Sequence, residues 1–255
     1  MGNRKRLVRS VFRTAAIAGG VAVGAYGASV LAAWFRYGRP RQPSARDEDS
    51  LLDRYMPAYD VVERHRVLVA APPPITFWAA CELDLRRSPL VAAIFSARER
   101  LLRSTPSASR EPRALISELK TSGWGVLAEI PEREIVMGAV TRPWEANVIF
   151  RALPPREFAA FDDAGYVKIA WTLRADAAGA GASICRTETR AVATDSTARR
   201  RFRRYWAWFS PGIVLIRREA LRMIKWDAEH RFRDQRAVPR DRFDLVSSGD
   251  LDSEC

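Results

Sequence analysis

The chain is poor in the residues from which metal sites and disulfide frameworks are built. Its 255 residues include three cysteines, Cys81, Cys185 and Cys255, and two histidines. No two cysteines have CxxC spacing, whereas a structural zinc site needs a closed set of cysteine and histidine ligands. The sequence therefore predicts no metal and no cofactor, and it leaves open a single disulfide bridge between Cys81 and Cys185.

The common catalytic motifs are also missing. The sequence contains no GxSxG nucleophile elbow, no HExxH zinc helix and no GxxxxGK[ST] phosphate loop. Gly179 and Gly181 have no strand-to-helix context, so they favour a hairpin turn over a phosphate-binding loop. These absences argue against the hydrolase and nucleotide-binding classes that those motifs define.

Lysine is scarce although the chain is basic. Only four of the 42 basic residues are lysine, and the net charge is +12. Residues 1–46 carry nine basic and no acidic residues, and residues 197–240 carry thirteen basic and four acidic ones. The middle of the chain is close to neutral and no nucleic-acid-binding motif accompanies the basic segments, so we expect no nucleic-acid partner.

One long apolar run lies near the N-terminus. The stretch from Thr14 to Phe35, TAAIAGGVAVGAYGASVLAAWF, has twenty-two residues and no charge. As a helix it would rise about 33 Å, enough to cross a bilayer core of about 30 Å. We therefore predict a single transmembrane helix at residues 14–36, and a cleaved signal peptide stays open as the alternative.

The flanking charges indicate an orientation for that helix. Five basic residues precede it and four follow closely, a slight excess that favours a cytoplasmic N-terminus with the folded domain outside. Gly20 and Gly24 have the GxxxG spacing of paired membrane helices, which suggests self-association. The predicted segments are a basic tail at 1–13, the transmembrane helix at 14–36, a linker at 37–50, a folded domain at 51–236 and a disordered polar tail at 237–255.

The order of elements in the domain predicts an α+β fold. A valine-rich alternating strand runs from Tyr59 to Ala71, and two short helices follow, the second capped by Ser88 and ending near Leu102. Antiparallel strands are predicted next, at residues 124–130, 134–140, 165–175 and 182–194. The chain then forms one long helix to Arg236, which Pro211 should kink without ending it, because the apolar periodicity continues beyond the proline.

This order resembles the START-like lipid-transfer and polyketide cyclase/dehydrase proteins, the SRPBCC superfamily. The resemblance covers about residues 55–230 and rests on three stretches, YDVVERHRVLVAAPPPITFWAA, GWGVLAEIPEREIVMGAVTRPW and ETRAVATDSTARRRFRRYW. It implies a helix grip, in which a curved antiparallel sheet wraps around the C-terminal helix and encloses an apolar cavity. It also implies binding of a hydrophobic small molecule or lipid, and some members of the superfamily catalyse cyclisation or dehydration.

Alternation along the first strand selects the candidate polar residues of such a cavity. Arg64 and Arg66 prefer water, so Glu63 and His65 should point inward, where they could form a general base or a structural hydrogen-bonded pair. Near the chain's last strand, Glu188 and Arg190 share a face that alternation does not assign. They would either join the inward pair or form an exposed ion pair of little energetic value.

Aromatic and basic residues complete the candidate set. Trp171, Trp206 and Phe209 are predicted to line the ligand site, although core packing would also explain Trp171. The basic residues at the start of the long helix are predicted to contact a membrane surface, or else to form a solvated face; they are Arg199, Arg200, Arg203 and Arg204.

Three functions remain open at this stage. The first is membrane-tethered binding or transfer of a hydrophobic small molecule or lipid. The second is a cyclase or dehydratase that uses Glu63 and His65, and the third is an interaction domain with a filled core.

Overall fold

The computed structural model describes residues 20–21, 23–39, 49–104 and 113–237. We label as α1 the helical backbone at residues 20–21 and 23–36. The other helices are α2 (Ser50–Asp53), α3 (Pro73–Cys81), α4 (Pro89–Leu102), α5 (Leu115–Thr121), α6 (Pro155–Ala160) and α7 (Ser196–Ala237). The strands are β1 (Val61–Val69), β2 (Gly125–Ile130), β3 (Glu134–Thr141), β4 (Phe150–Arg151), β5 (Val167–Ala177) and β6 (Ser183–Ala193).

The strands form one antiparallel sheet. Its order is β1-β6-β5-β3-β2, with β4 paired to β3. β5 and β6, with eleven residues each, form a hairpin whose turn contains Gly179 and Gly181, both with positive φ. The predicted α+β class, with an antiparallel sheet and one long C-terminal helix, is confirmed.

Each strand presents alternate residues to two different layers. The helix face of the sheet packs against α3 and α7, through residues such as Val69, Met137, Trp171 and Leu173. The outer face packs against α2 and α6, through Val136, Val140 and Ala170 among others. Both faces are therefore buried over much of the sheet, and β3 has no exposed residue along its length.

α7 spans 42 residues and supplies the cover of the helix face. Asp195 caps its N-terminus, where the carboxylate accepts hydrogen bonds from the backbone N–H groups of Thr197 (2.6 Å) and Ala198 (3.0 Å). Pro211 lies inside the helix without ending it, as the periodicity predicted. The buried side of α7 is apolar from Phe202 to Ala228 except at a few positions, of which Arg217 is the most polar.

Two short helices differ from the prediction. α5 and α6 lie outside the helices that the sequence predicted, and the two-residue strand Phe150–Arg151 lies outside the predicted strands. Both helices are shorter than two full turns, so their apolar residues show no helical period that the sequence could reveal.

The predicted single-pass membrane helix is wrong. Within the described ranges, no helix is long and apolar enough to cross a bilayer. The end of α1 packs instead on the folded domain, where Ala33 and Tyr37 contact the cluster around Phe202. Arg203 also donates hydrogen bonds to the carbonyl oxygen of Trp34 at 3.0 and 3.2 Å.

Several segment predictions concern residues that the structure does not describe. The basic tail, the first part of the proposed membrane span, most of the linker and residues 238–255 lie outside the described residues. The predicted orientation presupposes the membrane helix and is therefore wrong as well. The domain limits 51–236 remain a prediction.

Candidate ligand-binding site

Glu63 and His65 lie on the helix face of β1, as alternation predicted. In the register of the sheet Glu63 is opposite Thr189 and His65 is opposite Thr187, so the four side chains form a patch on two adjacent strands. One carboxylate oxygen of Glu63 lies 3.5 Å from His65 Nε2, although no hydrogen bond forms between them. Both side chains are largely buried, with 27% and 13% of their surface exposed.

α7 adds a guanidinium to this patch. Arg217 Nη1 donates a hydrogen bond to Thr187 Oγ1 at 3.2 Å, and Trp171 Nε1 donates to the same oxygen at 2.6 Å. Burial lowers the pKa of Arg217 to about 10, against the opposing influence of the Glu63 carboxylate. We call these six residues the helix-face cluster: Glu63, His65, Trp171, Thr187, Thr189 and Arg217.

Three polar atoms of the helix-face cluster are buried without a hydrogen-bond partner. They are His65 Nε2, Thr189 Oγ1 and Arg217 Nε, and no other side-chain nitrogen or oxygen of the described residues is in this state. An unsatisfied buried donor or acceptor costs about 1–3 kcal/mol, so folded proteins retain few of them. Their concentration in one patch therefore marks a place where a polar group of another molecule would be stabilised.

The surroundings of the helix-face cluster are apolar. One hydrophobic cluster, which includes Leu173, Leu221 and Ile224, lies on one side of it, and a second, which includes Val61 and Trp206, lies on the other. A molecule that contacts the polar patch would thus contact hydrocarbon at the same time. The arrangement suits an amphipathic ligand rather than a fully polar one.

The predicted aromatic residues are distributed around this region. Trp171 belongs to the cluster itself, and Trp206 is buried against Val61 with 8% exposure. Phe209 is half-buried and stacks on Tyr205 with ring centroids 4.7 Å apart. The ring contact of Phe209 is thus made within α7 and not with the helix-face cluster.

Glu188 and Arg190 lie on the opposite side of the sheet. They belong to the outer face, so the expected meeting with Glu63 and His65 does not occur. The alternative, an exposed pair, also fails, since their exposures are 6% and 1%. Glu188 accepts hydrogen bonds from Arg64 and Arg190. Arg190 also donates hydrogen bonds to the Asp53 carboxylate (2.5 Å) and to the Met56 carbonyl oxygen (2.8 Å).

The four arginines at the start of α7 do not share one environment. Arg199 pairs with the buried Asp60 carboxylate, and Arg203 lies 4.1 Å from the ring centroid of Trp34. Arg200 bonds the hydroxyl of Thr197 at 3.2 Å, whereas Arg204 is exposed. Two of the four are thus engaged in holding α1 and the start of β1 against α7, and their role at a membrane surface remains a prediction.

The described cysteines form no bridge. Cys81 and Cys185 are both buried and both free, and burial raises the pKa of each thiol to about 12. Neither thiol is therefore a nucleophile at neutral pH. In the described part of the chain, no three acidic, cysteine or histidine side chains are grouped so that they could hold a metal ion.

Sequence reasoning missed half of the helix-face cluster. Arg217 follows Ile213 by four residues and precedes Ala220 by three, so it occupies a position of the apolar stripe, and an arginine at such a position indicates a polar site. Thr187 and Thr189 alternate with the charged residues of β6. The sequence prediction considered only Glu188 and Arg190 on this strand, so it did not include the two threonines in the site.

Comparison with known proteins gives weak similarities only. No protein-family model and no curated protein matches the sequence. Among solved structures, the di-domain ARO/CYC BexL from the BE-7585A biosynthetic pathway aligns at 16% identity and a TM-score of 0.30, over 66% of this chain and 46% of that chain. Ara h 8.0201 aligns at 10% identity and a TM-score of 0.18, over 60% of this chain and 97% of that chain. Because these TM-scores are low, neither similarity carries an argument about function, and START-like membership stays a prediction.

Proposed function

We propose that the protein binds a hydrophobic small molecule or lipid that carries an oxygen-containing polar group, between the helix face of the sheet and α7. The observation that supports this most is the convergence of three unpartnered buried polar atoms, on His65, Thr189 and Arg217, within apolar surroundings. A START-like domain at residues 51–236 is part of the same proposal.

The chemistry of the helix-face cluster favours an oxygen acceptor on the ligand. The Nε of Arg217 is a donor that cannot lose its proton at neutral pH, even with a pKa near 10. The hydroxyl of Thr189 and the imidazole of His65 can each donate or accept. A carbonyl or carboxylate oxygen would therefore pair with Arg217 and Thr189, and the rest of the ligand would lie on the apolar neighbours.

A second function is favoured by the contact between Glu63 and His65. The 3.5 Å approach allows the carboxylate to stabilise an imidazolium, so that His65 could remove a proton from a substrate bound in the same place. Arg217 would then lie near the oxygen on which negative charge develops, as cyclisation or dehydration of a carbonyl compound requires. Replacement of His65 with Ala distinguishes the two functions: an enzyme loses turnover, whereas a binding protein keeps most of its affinity.

The test of the binding function uses full-length protein purified from cells. Native mass spectrometry and organic extraction should identify a hydrophobic compound that co-purifies with the wild type. In Arg217→Leu we expect the bound fraction to fall about tenfold or more, because one charge-assisted hydrogen bond is lost. The thermal stability of this variant should not fall, since removal of a buried charge with an unpaired atom is often neutral or stabilising.

Arg218→Leu is the matched control. It makes the same chemical change one residue along α7, at an exposed position, and should leave the bound fraction as it is. A wild-type protein that carries no compound, and takes up none from a lipid extract, would contradict the proposal. Equal loss of the compound in both variants would show that Arg217 has no specific part in binding.

A further inference from the structure

Polarity increases across the helix face of the sheet in the direction of β1. Two rows of side chains cross this face through β3, β5, β6 and β1. They are Met137, Trp171, Thr189 and Glu63 in one row, and Ile135, Leu173, Thr187 and His65 in the other. Each row begins with two largely apolar side chains, continues with a threonine hydroxyl and ends with a titratable group.

This gradient gives a bound ligand a direction. β1 is the first strand in the order of the sheet, so the polar end of each row lies near the sheet edge. Exposure follows the same direction, because Glu63 is partly exposed whereas Trp171 and Met137 are buried. A ligand with one polar group would place that group beside Thr189 and Arg217 and its hydrocarbon part towards Met137.

The helix-face cluster is balanced in charge before a ligand binds. Among the described residues at the helix-face positions of β1, β3, β5 and β6, Glu63 is the only aspartate, glutamate, lysine or arginine. Arg217 of α7 carries the opposite charge. Burial lowers the pKa of Arg217 and the Glu63 carboxylate opposes this change, so the two groups are within electrostatic reach of each other. Their formal charges cancel.

An uncharged ligand preserves this balance, whereas an anionic ligand does not. The carbonyl oxygen of a ketone or an ester can accept hydrogen bonds from Arg217 Nε and Thr189 Oγ1, the two unpartnered donors, without adding charge. A carboxylate can accept the same bonds, but it brings a second negative charge beside Glu63. A buried charge without a compensating partner is strongly unfavourable, so charge separates two ligands that have similar oxygen geometry.

We propose that the helix-face cluster binds the carbonyl group of an uncharged lipophilic compound, such as a ketone or an ester, and that Glu63 excludes carboxylates from the same place. This inference rests on the proposed function, whose ligand it narrows to a compound without charge. Glu63 is then a specificity-determining residue that acts through its charge and needs no contact with the ligand.

The test compares two probes that differ in the charge of their polar end. Methyl undecyl ketone and dodecanoate carry the same undecyl chain on a carbonyl carbon, which bears a methyl group in the ketone and an anionic oxygen in dodecanoate. Full-length protein is equilibrated with each probe at about pH 8, where an imidazole is uncharged. The amount that co-elutes with the protein in gel filtration is measured after organic extraction. We expect the wild type to bind the ketone about tenfold more tightly than dodecanoate, or more.

Glu63→Gln should change this preference, because it removes the negative charge and keeps the size of the side chain. Arg217 then has no compensating charge on the sheet, and a carboxylate ligand would supply one. We expect the affinity for dodecanoate to rise about tenfold, and the affinity for the ketone to change less than about threefold. Retained binding of the ketone also shows that the variant is folded.

Glu145→Gln is the matched control. It makes the same change on an exposed side chain that follows β3, and it should prefer the ketone as the wild type does. Equal affinity of the wild type for the two probes, or an unchanged preference in Glu63→Gln, would contradict selection by charge. The proposed function would still stand in that case if Arg217→Leu weakened the binding of both probes. Absence of binding of either probe to the wild type would contradict the proposed function, and this inference with it.

Discussion

Glu134, at the start of β3, is a carboxylic acid that water hardly reaches, with 3% exposure. Burial is the main cause that raises its pKa to about 7, and the charge of Asp49 and a hydrogen bond with Asp49 act in the same direction. Arg174 lowers the pKa and so acts in the opposite direction. Asp49 is itself the N-cap of α2, where its carboxylate accepts a hydrogen bond from the N–H of Leu52 at 2.9 Å. The protonation of Glu134 is therefore coupled to Asp49, the residue that caps α2.

The raised pKa makes a prediction about stability and pH. An ionised Glu134 is favoured in the unfolded chain above its ordinary pKa of about 4.5, whereas the folded protein keeps the proton up to about pH 7. The contribution of Glu134 is thus fully present below pH 4.5 and is lost as the pH rises to 7, by about 1 kcal/mol per pH unit. Chemical denaturation over this range should show the slope in the wild type and lose it in Glu134→Gln.

Glu129→Gln is the control for this measurement. Glu129 is an exposed glutamate on the adjacent β2, so its removal should leave the slope unchanged. A Glu134→Gln variant with the same pH dependence as the wild type would show that the carboxyl pair does not hold the extra proton.

At the level of residues, sequence alternation predicted part of the site. It placed Glu63, His65 and Trp171 on the helix face because charged and apolar neighbours alternate along those strands. It could not identify Glu188 and Arg190 as buried, since their cover comes from α2, a four-residue helix with no periodicity of its own. The sequence did not identify Arg217 as a site residue, because the helical pattern of α7 was read from its apolar residues.

At the level of elements, the turn from α5 to β2 depends on one glycine. Gly123 follows the last turn of α5 with φ of +94°, and its N–H donates to the Lys120 carbonyl at 3.1 Å. A Cβ at this position would lie 2.1 Å from the carbonyl oxygen of Phe150. The end of α5 is therefore in direct contact with the backbone of β4.

We expect Gly123→Ala to lower the free energy of unfolding by about 2 kcal/mol or more, because left-handed backbone strain and a backbone clash act together. Gly179→Ala is the control with strain alone, since φ there is +112° and no atom lies within 4 Å of the added methyl group. Its cost should be about 1 kcal/mol. Equal losses in urea denaturation of the two variants would contradict the close packing of α5 on β4.

The elements that the sequence predicted well are those with enough residues to show a period. β1, the two hairpins and α7 all have such patterns, and Ser88 supplied a recognisable cap. α2, α5 and α6 are too short, so tertiary contacts determine them. The single-pass membrane helix was predicted from length and hydrophobicity alone, and these two properties do not reveal the contacts that Ala33 and Tyr37, at the end of α1, make with the folded domain.

At the level of the whole molecule, stability should be concentrated in the centre of the sheet. β5 and β6 each pair with strands on both sides, and β3 is buried along its whole length. By contrast, Val91 is the only buried residue of α4. Hydrogen exchange followed by mass spectrometry should therefore show the slowest amides in β3, β5 and β6, and much faster exchange in α4. Protection of α4 equal to that of β5 would contradict this distribution.

β6 contributes to the proposed ligand site and to the outer face of the sheet, and this has a consequence for which sequence changes the protein can tolerate. Thr187 and Thr189 belong to the helix face, while Arg186 and Glu188 belong to the outer face. Loss or gain of one residue in the strand would exchange the two sets, so that the threonines would leave the ligand site and the charged side chains would face α7. Point substitutions can change one face of the strand without the other, so we expect natural or laboratory variation in β6 to consist of replacements and to exclude insertions and deletions.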